Sequence, residues 1–127
     1  MASSNTMCEA AVAADQGDRP PGTRILGIDP GLRITGYGSI DVVSGESRLV
    51  EGGVIRIAES DPLPVRLANL HHDLSQILDE LRPDLVAVES VFTHPDRAGT
   101  GVRMAHARGV ILLAAAQRSL QVREHAP

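Results

Sequence analysis

The chain contains no lysine, so all 12 of its basic residues are arginine, and it has a single cysteine, Cys8. One cysteine excludes an internal disulfide and is typical of proteins of the reducing cytoplasm. The sequence also lacks an apolar run of the ~20 residues that a membrane-spanning helix needs. Its first residues lack the basic and apolar segments of a signal peptide. These absences predict a cytoplasmic protein that does not enter a membrane.

Acidic residues outnumber basic ones, and the net charge is −4 at pH 7. A negative whole-chain charge argues weakly against a nucleic-acid partner. Both parts of the chain carry a net negative charge. Residues 1–23 contain three acids and one arginine, and residues 24–127 contain 13 acids and 11 arginines. Residues 1–23 are rich in Ala, Ser, Gly and Pro without a sustained period, which predicts a disordered extension. Residues 24–127 are then the single folded domain.

An apolar run over residues 25–28 ends in one carboxylate, Asp29, which Pro30 and Gly31 follow. Proline at the second and glycine at the third position predict a type II turn, in which Gly31 has a positive φ. Asp29 is therefore expected at the tip of a strand. A carboxylate there serves either as a ligand in metal or phosphate chemistry or as a cap of nearby backbone groups.

Two more strands are predicted after this turn. The first covers residues 34–43, and its Gly36 and Gly38 leave one face bare enough for a ligand or another backbone to approach. The second covers residues 48–57, and its Gly52-Gly53 pair predicts a β-bulge. Together with the first strand they make an antiparallel meander.

Helical periodicity begins after the meander. Leucines at helical spacing predict a helix over residues 63–81, with Asp61 as its N-cap and Pro62 as its first residue. A second, alanine-rich helix is predicted over residues 98–120, and its apolar second half is typical of a buried or interface helix. Residues 121–124 are a candidate fifth strand.

Between the two helices, a short apolar run over residues 85–88 is closed by a second carboxylate, Glu89. A continuous apolar run after a crossover helix predicts a buried parallel strand, and right-handed crossovers place it beside the first strand. Asp29 and Glu89 would then end neighbouring strands a few ångström apart. Two close carboxylates repel each other, which favours a bound cation, and Mg²⁺ prefers such hard oxygen ligands. The alternative is that each acid caps something else.

Five segments together resemble the RuvC family, the bacterial crossover junction endodeoxyribonucleases of the ribonuclease H-like superfamily. They are LGIDPG at 26–31, TGYG at 35–38, ESVF at 89–92, ARGV at 107–110 and VREHAP at 122–127. They occur in the family's order with similar spacing. The resemblance implies an α/β fold with a mixed five-stranded sheet flanked by helices, lacking the family's C-terminal helix. It also implies a two-fold homodimer.

The resemblance further implies a Mg²⁺-dependent endonuclease that nicks opposite strands of a four-way (Holliday) DNA junction in recombination and repair. In the family's pattern Asp29 and Glu89 match catalytic metal ligands, and Phe92 matches a residue that contacts bases at the junction centre. Arg33 and Arg97 are added as DNA-binding candidates, because a guanidinium group suits bidentate phosphate contact. The implied protein partners are the RuvA and RuvB branch-migration proteins.

Two alternatives stay open at this point. The family's remaining metal-binding acids lie in a final helix beyond the matched segments, and Glu124 matches a non-catalytic position. The first alternative is therefore that the chain is an inactive fragment, which at most dimerises or binds DNA weakly. The other alternative is an actin-like nucleotide-binding domain, since a strand ending in Asp-x-Gly before a hairpin also opens that superfamily's phosphate site. No second glycine-rich phosphate loop accompanies it in this sequence.

Overall fold

The computed structural model describes residues 21–90 and 98–125. In chain order their helices and strands are β1 (Thr23–Asp29), β2 (Ile34–Val43), β3 (Glu46–Arg56), α1 (Leu63–Leu81), β4 (Leu85–Glu89), α2 (Ala98–Gln117) and β5 (Gln121–His125). Each predicted strand and helix is present, with ends within three residues of the prediction. The disordered extension predicted over residues 1–23 stays a prediction, because residues 1–20 lie outside the described ranges. Neither helix is long and apolar enough to cross a membrane.

The five strands form one mixed sheet in the order β3-β2-β1-β4-β5. The pairs β1–β2 and β2–β3 are antiparallel, whereas β4 is parallel to both β1 and β5. Helix α1 is the crossover connection from β3 to β4, and it places β4 beside β1 in the sheet. The mixed sheet and the parallel pairing of β1 with β4 are as predicted.

The core lies on one face of this sheet. Leu26 and Ile28 of β1 and Val86 and Val88 of β4 are at most 4% exposed. They form one cluster with residues of both helices, namely Leu70, Leu74, Leu78, Leu81, Ala107, Ile111, Ala114 and Ala115. Because side chains alternate between the faces of a sheet, both helices cover the face that carries these four strand residues.

The opposite face, which we call the open face, carries the residues in between. It comprises Ile25, Gly27 and Asp29 of β1, Gly36, Gly38 and Ile40 of β2, Leu49, Gly52 and Val54 of β3, Leu85, Ala87 and Glu89 of β4, and Gln121, Arg123 and His125 of β5. None of them is among the buried residues. Because β1 and β4 are continuous apolar runs, they were expected to be buried on both faces of the sheet. In the described part of the chain, the helices cover one face only.

Glycines of three neighbouring strands meet on the open face. Gly27 lies opposite Gly38, and Gly38 lies opposite Gly52. A Cβ added to Gly38 would meet nothing within 4 Å. The bare face predicted for β2 is therefore present, and it continues as a shallow trough across β1, β2 and β3.

Two local predictions are wrong. The N-cap of α1 is Pro62 rather than Asp61, it makes no side-chain cap hydrogen bond, and the helix begins at Leu63 with Pro64 in its first turn. Proline lacks an N–H, so fewer donors at this helix end need an acceptor. The β-bulge lies at Val50, where the β2–β3 register shifts, and not at Gly52-Gly53.

Candidate metal and nucleic-acid site

The loop after Asp29, residues 30–33, is held by a side chain rather than by a type II turn. The backbone N–H of Gly31 donates to Thr35 Oγ1 at 3.1 Å, and the Thr35 hydroxyl donates to the Gly31 carbonyl at 2.7 Å. Gly31 does not adopt a positive φ, so the predicted turn type is wrong. A Cβ on Gly31 would instead overlap the carbonyl oxygen of Ile34. Glycine is thus required here by lack of space.

Asp29 and Glu89 lie side by side at the ends of β1 and β4. Ile28 is the Cα partner of Val88, so the next residue of each strand is a carboxylate on the open face. A hydrogen bond with Asp29, together with the charge of Asp29, raises the pKa of Glu89 above the usual glutamate value. The structure therefore brings the two predicted site residues together. Their catalytic and metal-binding roles stay predictions.

The chemistry of the pair suits a hard cation. Two carboxylates that share a hydrogen bond at neutral pH bind either a proton or a cation between them. Within residues 21–90 and 98–125, no group of three His, Cys, Asp or Glu side chains is arranged to hold a metal ion. Mg²⁺ commonly keeps several water ligands, so water or a phosphate can complete the shell of an ion held by Asp29 and Glu89.

A third residue at this edge of the sheet is His125, at the end of β5. It is the Cα partner of Glu89, and its carbonyl oxygen accepts a 2.6 Å hydrogen bond from the Ser90 N–H. Because β1, β4 and β5 are parallel, Asp29, Glu89 and His125 form one row on the open face. The position of His125 beside Glu89 was not predicted from the sequence. The available signal was a candidate strand ending in a histidine, just as β1 and β4 end in carboxylates.

Glu124 lies on the other side of the sheet. It is the Cα partner of Val88, which faces the helices, and it forms an ion pair with Arg108 of α2. The carboxylate of Glu124 is thus used to hold β5 against α2. Glu124 thus lies on the face of the sheet opposite to Asp29 and Glu89.

The three predicted DNA-binding residues differ in how much the structure says of them. Arg33 lies in the loop after Asp29, and its Nε is 3.0 Å from Glu59 Oε1, with the two side chains 70% and 62% exposed. Phe92 and Arg97 lie outside the described residues, and the DNA-binding roles of all three residues stay predictions.

The family model for the crossover junction endodeoxyribonuclease RuvC matches residues 25–127. The chain belongs to the RuvC family. Family membership agrees with the paired carboxylates at the ends of β1 and β4, which the resemblance had matched to metal ligands. It does not favour the actin-like alternative.

Relatives in two bacteria show how much of the family's length is present. RuvC of Rhodopirellula baltica is 47% identical over 103 residues, which is 81% of this chain and 58% of the relative. RuvC of Halorhodospira halophila is 45% identical over 105 residues, covering 83% of this chain and 62% of the relative. The chain therefore spans about three-fifths of the length of the curated relatives it matches.

Solved structures support the fold. RuvC of T. thermophilus in complex with Holliday junction substrate superposes with a TM-score of 0.75 at 28% identity, over 82% of this chain and 66% of that one. The yeast mitochondrial Holliday junction resolvase Ydc2 has a TM-score of 0.61 at 16% identity, covering 87% of this chain and 56% of that one. The second likeness shows a shared fold alone. The predicted ribonuclease H-like sheet is confirmed.

Proposed function

We propose that this chain acts as a metal-dependent endonuclease that resolves four-way DNA junctions in recombination and repair. The observation that carries the proposal is the adjacent pair of Asp29 and Glu89 on the open face of a RuvC-family sheet. Two relatives are named crossover junction endodeoxyribonuclease, and one solved RuvC contains a Holliday junction substrate. Because the chain spans about three-fifths of those relatives, their activity, substrate and partners are taken over as proposals.

We propose Mg²⁺ as the ion of this site, with Asp29 and Glu89 as its protein ligands. Mg²⁺ is commonly held by one or two carboxylates together with water and substrate phosphate. When bound in a nuclease, the ion activates a water molecule and stabilises charge on the phosphodiester oxygens. Both carboxylates must be ionised to hold it. Since Asp29 raises the pKa of Glu89, protons compete with the ion at acidic pH.

The surroundings of the pair leave room for a DNA backbone. A Cβ on Gly36 would lie 3.9 Å from the Asp29 Cβ, so no side chain of β2 shields that carboxylate. The glycine trough of Gly27, Gly38 and Gly52 extends from the same place across three strands. A phosphate can thus reach Asp29 and Glu89 from the open face without displacing a side chain of the described residues.

We also propose that the chain forms the two-fold homodimer that the resemblance implies, through α2. Val102 and Leu113 are 58% and 52% exposed. Ala105 and Gly109, which are also exposed, lie on the same helical face between them. A two-fold axis at this face would bring it against the same face of the partner, and small residues allow close helix approach. Partnership with the RuvA and RuvB proteins stays a prediction from the resemblance.

Calorimetric titration with Mg²⁺ or Mn²⁺ tests the ion site. We expect the binding seen with the wild type to be abolished in an Asp29→Asn, Glu89→Gln double variant, because neither amide carries the negative charge that holds the ion. The matched control is Glu46→Gln, Glu80→Gln, which removes two exposed charges elsewhere on the fold. Equal affinities for the wild type and the double variant would rule out this ion site.

Incubation of the purified chain with a synthetic four-way junction tests the activity. We expect slow, Asp29-dependent nicking of the junction and none of a duplex with the same sequence. The rate should be low, because two protein ligands cannot by themselves place the two ions of a two-metal site. Junction binding without any nicking would favour the alternative of an inactive fragment.

Sedimentation of the purified chain measures its oligomeric state and so tests the proposed dimer. Leu113→Glu should give a monomer, because it places a charge in the proposed interface. Val65→Glu is the control, since Val65 is an equally apolar residue that is 43% exposed on α1. The proposal fails if both variants, or neither, dissociate.

A further inference from the structure

An open cleft of about 610 Å³ lies beside the loop that follows Asp29. Three parts of the chain line it: the β1–β2 loop with Arg33, the region where α1 begins with Glu59 and Arg66, and α2 with Arg103. Three arginines and one acid give the cleft an excess of two positive charges, in a chain whose net charge is −4. A locally basic surface is therefore assembled here from residues far apart in sequence.

Arg66 is held in place within the cleft. Its Nη2 donates to the Leu32 carbonyl at 3.0 Å, which ties the first turn of α1 to the loop after Asp29. Its Nε is buried and has no hydrogen-bond partner among the described residues. A buried donor without a partner is costly. The Arg66 side chain therefore lines the cleft as a fixed positive charge.

The other two arginines are available to a ligand. Arg103 is exposed and makes no ion pair with any residue in the described ranges. Arg33 pairs with Glu59, but both side chains are mostly exposed, and such surface pairs contribute little. A phosphate can therefore compete with Glu59 for the Arg33 guanidinium.

The position of the cleft suits a DNA strand. Its lining begins at Gly31, two residues after Asp29, and two residues span at most about 7 Å. The carboxylates of Asp29 and Glu89 repel a phosphodiester backbone unless a cation lies between them. Positive charge in the adjoining cleft offsets that repulsion and draws the strand toward the pair.

We propose that this cleft binds a backbone phosphate of the DNA strand next to the phosphate that Asp29 and Glu89 face, with Arg66 and Arg103 as positioning residues. The proposal rests on the junction-binding function proposed above. Guanidinium groups bind phosphate in a bidentate manner, and phosphate contacts set the register of a nucleic acid on a protein. The cleft would thus determine which phosphodiester reaches the carboxylates.

Fluorescence anisotropy with a labelled four-way junction in EDTA, over a range of salt concentrations, tests the cleft in the full chain. We expect Arg66→Gln and Arg103→Gln each to bind about tenfold more weakly. The slope of log K against log salt should become less steep by about 0.9 for each phosphate that the variant no longer neutralises. Glu59→Gln should bind more tightly, because it frees Arg33.

The matched control is Arg48→Gln. Arg48 is exposed and lies opposite Asp41, at the end of the β2–β3 pair remote from Asp29. The same charge is removed there, so affinity and salt slope should stay at the wild-type values. If Arg66→Gln fails to fold because it can no longer bond the Leu32 carbonyl, the exposed Arg103→Gln decides alone.

The outcomes distinguish a failure of the cleft proposal from a failure of the junction-binding function on which the proposal rests. If the wild type binds the junction and the cleft variants behave like Arg48→Gln, the cleft proposal is wrong and the junction function stands. If the wild type binds no junction, the function fails, and inorganic phosphate becomes the probe. Phosphate-induced NMR shifts of the Nε–H signals of Arg66 and Arg103 would then support an anion site, and their absence would overturn it.

Discussion

One arginine, Arg24, joins the first strand to its neighbour and to the end of a helix. Its Nε and Nη2 donate to the two carboxylate oxygens of Asp41 in β2, at 2.7 and 3.0 Å. Its Nη1 donates to the Leu81 carbonyl at the end of α1, at 2.9 Å. The Arg24 and Asp41 side chains are only 13% and 14% exposed. The hydrogen bonds to Asp41 raise the pKa of Arg24, which stays charged.

Arg24→Met tests how much these side-chain contacts between β1, β2 and α1 stabilise the fold that carries Asp29. Removing one partner of a buried ion pair costs about 3–5 kcal/mol. The remaining exposure lets some water reach Asp41, so we expect the lower end of that range, about 3 kcal/mol. For a domain of about 100 residues each kcal/mol lowers Tm by about 4 °C, so Tm should fall by about 12 °C.

Thermal unfolding of Arg24→Met and Arg33→Met provides the matched comparison. Both variants remove an arginine that bonds a carboxylate, but the Arg33 and Glu59 side chains are 70% and 62% exposed. Exposed pairs contribute up to about 1 kcal/mol, so Arg33→Met should lower Tm by no more than about 4 °C. Equal shifts in the two variants would refute the reasoning, because burial is the property that distinguishes the pairs.

Three further predictions concern the site and the open face. Gly31→Ala should destabilise the chain by about 1–3 kcal/mol, since its Cβ overlaps the Ile34 carbonyl. The control Gly99→Ala on α2 has free space around its Cβ and should not; equal unfolding curves would contradict this. In metal-free protein, Asp29→Asn should lower the pKa of Glu89 in a carbon-13 NMR titration, because Asp29 raises it. The wild type should then lose stability as pH rises from the ordinary glutamate pKa through the raised one, and the variant should not; an unchanged Glu89 pKa would refute this. The open face should bind a hydrophobic dye or associate in sedimentation, and a monodisperse monomer without dye binding would show otherwise.

The secondary structure, the strand pairing and the two carboxylates were predictable from local patterns in the amino-acid sequence. Short continuous apolar runs, helical leucine spacing and the right-handed crossover rule are local or nearly local signals, and they were enough to place Glu89 beside Asp29. The motif segments did the same for the family, which the match over residues 25–127 confirms. Signals of this kind are carried by residues close together in the chain.

The surroundings of the two carboxylates depend instead on how distant parts of the chain pack together. The local pattern indicated a type II turn after Asp29, but the Thr35 side chain holds that loop in another conformation. Likewise, Arg66 and Arg103 meet Arg33 in one cleft because two helices lie at particular rotations on the sheet. A local period does not encode those rotations, since they depend on how distant side chains such as Leu26, Leu74 and Ile111 pack in the core.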